Sequence, residues 1–331
     1  MLEFGVYKLH FTTPVHLGDN REDYGVSLKT IQSDTMYAAL TACLAKIGKT
    51  IPKDGDLDFT ISSLFPFYQK DKDSQAVYFL PKPYKKVSIR ENPDLDAKSL
   101  KKIQWLDIRF FEKYLNESTV DVDKKEVKGE YLTSCEIDKD FITSEVSPRV
   151  AVSRTAGEDA RPFYMDRVFF KDYSGLYFIM GGAVNLLHEA LDVLQYEGIG
   201  TDRNVGNGFF TYDTDEIEIA VPDERETDYA LALSMFIPQS KEQLQTMLSG
   251  KDVGYDFMRR GGWLTTPPFN TFRKNAVYAF TPGSVFSAQL DDDVDIMGKI
   301  VNLKPDIDFG EQKLEHPVWR SGKSFFIPIK M

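Results

Sequence analysis

Cysteine and histidine are scarce in this sequence. Of 331 residues, two are cysteine and four are histidine, and Cys43 and Cys135 lie far apart without a CxxC spacing. This scarcity excludes a zinc site built on paired cysteines and the dense disulfide framework of a small secreted domain. We therefore expect a protein of the reducing cytoplasm that binds no metal and needs no cofactor.

A signal peptide and a membrane-spanning segment are also missing from the sequence. Residues 1–11, MLEFGVYKLHF, alternate like a strand and contain no basic region followed by an apolar one. No apolar run approaches the roughly 20 residues that a membrane-spanning helix needs. We expect a soluble protein that does not contact a membrane.

The histidines and acidic residues form no catalytic constellation. The scattered histidines are His10, His16, His188 and His316. No pair of them has the H-E-x-x-H spacing of a metal site, and a lone histidine without a second acid or base is a weak catalytic signal. We predict that His16, after the first strand, hydrogen-bonds a ligand or its own loop. The run DDDVD at 291–295 follows a predicted strand, and we interpret it as a solvated turn.

The net charge of −11 by itself disfavours a nucleic-acid ligand, because affinity for phosphate comes from Lys and Arg. The distribution of charge is more informative. Residues 149–171 and 259–274 are locally basic, and an acidic segment at 213–228 separates them. Charges are screened beyond about 8–10 Å at physiological salt, so opposite signs can lie on different faces. The sequence therefore permits a cationic surface on an acidic protein.

The periodicity of apolar residues predicts the elements of the first part of the chain. They are a strand at 4–11, a helix capped by Ser33 and ended by Gly48, a strand at 77–80, a helix at 98–115, hairpin arms at 141–154 and 161–170, a strand at 175–181, a helix at 184–197 and a strand at 209–212. Strand, helix, long insert, strand, helix and strand follow the β-α-β-β-α-β order of a ferredoxin-like domain. The charged hairpin is expected to project, and residues 211–228 to connect two domains.

The second part restarts with the same order of elements. A strand at 229–237 precedes a short helix capped by Ser240, and further strands are predicted at 255–264, 276–280, 284–290 and 324–329. We expect an α+β protein with two ferredoxin-like (RRM-like) domains, a projecting β-hairpin and insertions. The predicted domains span residues 1–215 and 225–331.

The most informative segment is GIGTDRNVGNG at residues 198–208. It is not a dinucleotide fingerprint, because Arg203 stands where the third glycine belongs and the segment follows a helix. A Walker A loop is excluded as well, because Asn207 and Gly208 follow Gly206 where Lys and Ser or Thr are required. Glycines let the backbone approach a phosphodiester, and an arginine adds charge-assisted hydrogen bonds. Single-stranded RNA suits this chemistry, and a structural turn is the alternative.

Several segments together resemble a known family. Residues 198–208 resemble the glycine-rich loop of the repeat-associated mysterious proteins, and QSDTMYAAL at 32–40 is similar to their first-helix signature in type III CRISPR subunits. PRVAVSR at 148–154, followed by a hairpin, resembles their thumb. Three further segments resemble the fourth Csm-type subunit in particular: RRGGW at 259–263, GSVF at 283–286 and HPVWRSGK at 316–323. The resemblance covers nearly the whole chain.

The resemblance implies a non-catalytic subunit of a type III-A CRISPR complex. Such a subunit holds the 5′ repeat-derived tag of the guide RNA, caps the backbone filament, and docks the large polymerase-like subunit and the next backbone subunit. The thumb hairpin is then expected to wedge between bases, as in recognition of unstacked nucleotides. The predicted RNA-binding residues are His16, Ser33, Arg149, Arg154, Gly198, Gly200, Arg203, Asn204, Gly206, Gly208, Arg259, Arg260, Arg273 and Lys274.

A second function remains open at this point. Processing nucleases of the same superfamily share the fold and the glycine-rich loop, and they cleave guide precursors without a metal. In that reading His16 is the candidate general base.

Overall fold

The structure is a computed structural model that describes residues 1–18, 24–90, 95–152, 159–307 and 312–331. The fold is α+β, with many strands and few helices. In chain order the strands of the first part are β1 (Leu2–Phe11), β2 (Phe59–Ile61), β3 (Phe65–Tyr68), β4 (Val77–Pro81), β5 (Ser88–Ile89), β6 (Trp105–Asp107), β7 (Thr119–Val120), β8 (Val127–Lys128), β9 (Tyr131–Leu132), β10 (Ile142–Ala151), β11 (Arg161–Phe170), β12 (Gly175–Gly182) and β13 (Phe210–Ile219). Its helices are α1 (Ser33–Lys46), α2 (Ala97–Lys101), α3 (Ile108–Asn116) and α4 (Val184–Glu197).

The second part of the chain consists mainly of short strands. They are β14 (Tyr229–Ala232), β15 (Phe257–Arg260), β16 (Val277–Phe280), β17 (Val285–Ser287), β18 (Asp295–Met297), β19 (Ile300–Asn302), β20 (Trp319–Ser321) and β21 (Ser324–Pro328). Its described helix is α5 (Lys241–Met247), which the Ser240 hydroxyl caps as predicted. Single 3-10 turns lie at Lys124–Glu126, Arg203–Val205, Glu224–Glu226 and Phe269–Thr271.

A nine-stranded sheet forms the centre of the molecule, in the order β13-β1-β12-β3-β4-β6-β9-β8, with β2 also paired to β12. Successive side chains of β1 point to opposite faces. Tyr7 and Leu9 enter the core beneath α1 and α4, whereas Phe4 and Val6 enter a second core. The sheet is therefore covered on both faces.

The second core joins the two parts of the chain. It contains Val6 and Phe65 of the large sheet together with Leu231, Phe325 and Ile327 of the second part. The four-stranded sheet β17-β14-β21-β18 supplies these last residues. Because the two parts share one core, they are expected to unfold together.

The first part follows the predicted order of elements. Strands β1, β3, β12 and β13, with α1 and α4 between them, lie in the spatial order β13-β1-β12-β3, with antiparallel pairing throughout. The second part shows one helix in its described residues, where a β-α-β-β-α-β path needs two. The assignment of two ferredoxin-like domains, and their bounds, stays a prediction.

Two predicted elements are wrong in detail. The helix at 98–115 is divided into α2, β6 and α3, because Trp105 and Leu106 pair with β4 and β9 and the Asp107 carboxylate caps α3 at the Phe110 N–H, 2.9 Å away. The predicted connection at 211–228 begins too early. Strand β13 continues to Ile219 and pairs with β1 along its whole length, so the connection starts only after that residue.

The hairpin of β10 and β11 projects as predicted. The two strands pair in continuous register from Ile142↔Phe170 to Ala151↔Arg161, and they form a two-stranded sheet of their own. Its base is buried at Ile142 and Val168, whereas Tyr164 farther along is 67% exposed. The hairpin is therefore anchored at one end and exposed along most of its length.

Candidate nucleic-acid interface

The glycine-rich loop, residues 198–208, needs glycine for two separate reasons. All four of its glycines have positive φ, a region that side chains with a Cβ rarely adopt. Close packing adds a second constraint, since a Cβ on Gly200 would lie 2.4 Å from the His16 carbonyl oxygen and one on Gly208 would lie 1.9 Å from that of Ile199. A Cβ on Gly206 would meet nothing within 4 Å. Gly200 and Gly208 therefore fix the loop, while Gly206 faces open space.

Arg203 is presented at the outer side of this loop. It begins the 3-10 turn Arg203–Val205, and both Arg203 and Asn204 are exposed. Its Nη1 donates a long hydrogen bond of 3.4 Å to the Gly198 carbonyl. Among the described residues it forms no ion pair, although Glu197 lies near enough to feel its charge. The guanidinium group is thus available to an anionic ligand.

Residues 14–17 connect the loop to the hairpin. The Gly208 N–H donates to the Pro14 carbonyl at 2.8 Å, and the Thr201 N–H donates to that of His16 at 2.9 Å. On its other side the same segment pairs with β11 through Val15 and Val168. The structure therefore brings the glycine-rich loop and the base of the hairpin together, although they are separated in sequence by α4 and β12.

His16 has a structural role in this arrangement. Its side chain is 1% exposed, its Nδ1 lies 2.7 Å from the Asp166 carbonyl oxygen, and its ring stacks on Tyr24 with centroids 5.7 Å apart. The enclosed His16 side chain joins residues 14–17 to the hairpin. A direct contact between His16 and RNA stays a prediction.

The hairpin carries the second candidate arginine. Arg149 is half-buried on β10 opposite Phe163 of β11, and it forms no ion pair among the described residues. It lies five residues beyond Ser144, the partner of Val168, and so roughly 17 Å from the base of the hairpin at about 3.4 Å per residue. Arg154, the other predicted arginine of this hairpin, lies outside the described residues.

Ser33 and Arg260 hold the two parts of the chain together. The Ser33 hydroxyl is buried and accepts a hydrogen bond of 2.9 Å from the Met235 N–H, and it does not cap α1, whose N-cap is Gln32. Arg260 makes a bidentate pair with the buried carboxylate of Asp34, at 2.7 and 3.0 Å. Both residues were predicted to bind RNA directly. The Ser33 hydroxyl is used here in a hydrogen bond to the second part of the chain, and its contact with RNA stays a prediction. For Arg260 the structure shows a guanidinium already occupied by Asp34.

The other basic residues of the second part differ in exposure. Arg259 is exposed on β15 and pairs in register with Tyr278. The Arg273 guanidinium lies 4.9 Å from the ring centroid of Trp263, a cation–π distance. Lys274 is half-buried, and burial, followed by the charge of Arg320, lowers the pKa of its ammonium group to about 8. These three residues remain candidate RNA contacts.

Sequence reasoning missed an aromatic face beside Arg259. Phe257 and Tyr278 are exposed, pack edge to face at 5.8 Å, and lie next to the exposed Tyr255. Exposed aromatic rings interleaved with an arginine on a sheet are typical of surfaces that stack bases. The alternation of Tyr255, Phe257 and Arg259 with a period of two was the signal available in the sequence.

No group of three or more His, Cys, Asp or Glu side chains in the described ranges is placed to hold a metal ion. None of the helices in the described part of the chain is long and apolar enough to cross a membrane.

Gly200→Ala is expected to weaken RNA binding at least tenfold more than Gly206→Ala. Both positions have positive φ, but only the Cβ at Gly200 displaces the carbonyl of residue 16, and with it the segment that connects the loop to the hairpin. Equilibrium binding of a single-stranded RNA to the two folded variants tests this difference. Equal losses would mean that the packing of Gly200 does not shape the binding surface.

Comparison with known proteins shows that the chain is similar to CRISPR subunits. Residues 225–329 match the family model of the CRISPR Csm4 C-terminal domain. The chain is similar to a CRISPR system Cms protein Csm4 of Streptococcus thermophilus, with 25% identity over 342 residues that cover 98% of this chain and 99% of the relative. A protein of the same description from Methanocaldococcus jannaschii is 23% identical over 318 residues, covering 76% of this chain and 79% of that one.

Solved structures of the same kind share the fold. A chain of the Csm3-Csm4 subcomplex in the type III-A CRISPR-Cas interference complex superposes with a TM-score of 0.59 and 17% identity, and all of both chains is covered. A chain of the Csm1-Csm4 cassette in complex with pppApA gives a TM-score of 0.56 and 19% identity, covering 100% of this chain and 99% of that one. At these identities the likeness establishes the fold.

Proposed function

Because the chain belongs to the Csm4 family, we propose that it is a non-catalytic subunit of a type III-A CRISPR effector complex that binds the 5′ repeat-derived tag of the guide RNA. One observation carries the proposal. The glycine-rich loop presents Arg203, which forms no ion pair within the described part of the chain, and packs through residues 14–17 against the base of a projecting hairpin. Loop and hairpin together form a continuous surface for a single strand.

The chemistry of this surface suits RNA. Arg203 and Arg149 form no ion pairs among the described residues, so each is able to neutralise a phosphate and release a counterion. The exposed Tyr164 and its neighbours on the hairpin offer an apolar edge against which an unstacked base packs. The net charge of −11 does not preclude binding, because Asp213 and Asp215 of β13 pair with Lys8 and His10, and neither Arg149 nor Arg203 forms an ion pair among the described residues.

The buried state of His16 favours this proposal over a processing nuclease. A general base must reach the proton that it removes, and the His16 side chain is enclosed and bonded to the hairpin. Incubation of the purified protein with repeat RNA in EDTA, followed by a gel shift and a denaturing gel, tests the choice. We expect retained and intact RNA, whereas specific cleavage that is lost in His16→Ala would establish the nuclease.

The partners proposed for the chain are other Csm subunits. The solved relatives are complexes of Csm4 with Csm1 or with Csm3, which supports assembly with two different neighbours. We propose that these are the large polymerase-like subunit and the next backbone subunit, with this chain at the end of the filament. A cytoplasmic location belongs to the same proposal.

Arg203→Ala is expected to weaken binding of the tag RNA by about 1–3 kcal/mol and to reduce the salt dependence by about one phosphate contact. Fluorescence anisotropy at several salt concentrations measures both quantities. Arg109→Ala is the matched control, since Arg109 is exposed on α3, on a separate element. An unchanged salt slope in Arg203→Ala would remove this residue from the binding surface.

A further inference from the structure

A cluster of charged side chains lies where the N-terminus of α1 meets the second part of the chain. This seam cluster consists of Asp34, Arg260, Lys274 and Arg320. The Asp34 carboxylate is 2% exposed and accepts hydrogen bonds from Arg260 at 2.7 and 3.0 Å and from Arg320 at 3.2 Å. The two arginine side chains are only 11% and 10% exposed. The cluster contains no residue of the glycine-rich loop or of the hairpin.

The seam cluster contains more positive than negative charge. Three cationic groups surround one carboxylate, which leaves a formal excess of two positive charges. Lys274 forms no hydrogen bond or ion pair with any described residue through its ammonium group, although it lies close enough to feel both arginines and Asp34. The Nε of Arg320 is buried and has no hydrogen-bond partner among the residues that the structure describes. Uncompensated charge at low exposure is costly unless an anion approaches it.

The arrangement of the cationic groups in the seam cluster suits a phosphate. Asp34 holds Arg260 from one side, and the Thr35 hydroxyl accepts a hydrogen bond from the same guanidinium at 2.7 Å, so this arginine is fixed before a ligand arrives. Lys274 supplies a point charge beside the fixed guanidinium groups, a combination common in phosphate binding. The positive end of the α1 dipole adds to the same potential.

We infer that the seam cluster is a phosphate-binding site, in which Lys274 and the outer edges of Arg260 and Arg320 contact the anion and Asp34 orients the two arginines. Lys274 and Arg260 are the partly exposed members of the cluster, and Arg320 is buried. The phosphate belongs either to an RNA strand or to a free phosphate compound. The first source rests on the proposed function, and it would extend the RNA path from the first part of the chain to the second.

Two measurements on the full chain test this site and separate the sources. The first is thermal unfolding with and without 10 mM inorganic phosphate, against sodium chloride at equal ionic strength. The second is binding of single-stranded RNA with a 5′-hydroxyl or a 5′-phosphate. Lys274→Met removes the charge and Lys274→Arg retains it. Lys251→Met is the matched control, because Lys251 is exposed in the same part of the chain and unpaired among its described residues.

We expect phosphate to raise the Tm of the unmodified protein and of Lys251→Met by about 2 °C and to leave Lys274→Met unchanged. We also expect Lys274→Met to weaken RNA binding about tenfold with a salt slope smaller by about one, and Lys274→Arg to restore the binding.

A phosphate effect without an RNA effect assigns the site to a free phosphate, and a larger effect for 5′-phosphate RNA assigns it to a strand terminus. If the unmodified protein binds no RNA, the proposed function fails while the phosphate measurement still decides the site. Identical responses of Lys274→Met and Lys251→Met in both measurements overturn the inference.

Discussion

Replacing Asp34 with Asn is expected to lower the free energy of unfolding by about 3–5 kcal/mol, because the change removes the carboxylate that two buried guanidinium groups share. Asn retains the size and part of the hydrogen bonding, so the loss comes mainly from uncompensated charge. The pair joins α1 of the first part to β15 and β20 of the second. The loss is therefore expected in the cooperative unfolding of the whole chain.

Urea unfolding at pH 7 measures this effect, with Asp252→Asn as the control at an exposed position that forms no ion pair in the described ranges. The pH dependence gives an independent check. Burial alone would raise the pKa of Asp34, but Arg320 and Arg260 outweigh burial and hold the pKa below the ordinary value of 3.8. The stability from this pair is therefore present above that value and is lost as the pH falls through the lowered pKa. A variant as stable as Asp252→Asn would show that Asp34 is not the central ion pair.

The double variant Arg149→Ala with Arg203→Ala is expected to lose about 2–6 kcal/mol of RNA binding free energy, the sum of two contacts of about 1–3 kcal/mol each. The two arginines lie on separate elements, the hairpin and the glycine-rich loop, and share no partner. Distant sites of this kind contribute additively to within a few tenths of a kcal/mol. The salt slope should fall by about two.

The control for that variant is Arg109→Ala with Lys251→Ala, which changes the net charge equally at exposed positions away from the loop and the hairpin. Circular dichroism and Tm confirm that each protein is folded. A loss no greater than that of Arg203→Ala alone would separate Arg149 from the RNA. Equal losses in the control and the test variant would mean that binding depends only on total charge.

The parts of the fold that local patterns determine were predictable from the sequence. Strand β1 and the helices α1 and α4 were placed from their apolar spacing. Gly48 was placed at the end of α1 because a left-handed residue is needed there, and its φ is +80°. The hairpin, and the expectation that it projects, followed from two extended charged arms around a turn.

Long-range contacts account for most of the differences between the predicted and the observed structure. Ser33 is a residue type that commonly caps helices, but its hydroxyl instead accepts a hydrogen bond from the Met235 N–H in the second part of the chain. Asp34 has the position of a first-turn charge that complements the helix dipole, and nothing near it in sequence indicates Arg260 and Arg320. The continuation of β13 depends on β1, which lies some 200 residues earlier. No local pattern contains these partners.

The sequence indicated the kind of candidate site, a glycine-rich loop with an exposed arginine, but not the surroundings of every residue assigned to it. The positive φ of the four loop glycines is what the alternative, a structural turn, requires, and their approach to an RNA backbone stays a prediction. Arg203 is exposed, as binding of an anionic ligand requires. His16 was assigned to a ligand or its own loop from its place after the first strand, and Ser33 was assigned as part of the segment QSDTMYAAL. In the structure both side chains form hydrogen bonds with other elements. A side chain's burial depends on what packs over it, which a single sequence does not specify.

Crosslinking tests the central claim most directly. Guide RNA carrying one photoreactive nucleotide at each successive tag position is bound by the protein, irradiated, and the crosslinked peptides are identified by mass spectrometry. The account predicts crosslinks from the 5′ tag to peptides of the glycine-rich loop at 198–208 and of the hairpin at 142–170. Crosslinks confined to the target-pairing region of the guide, or to peptides that exclude both segments, would contradict it.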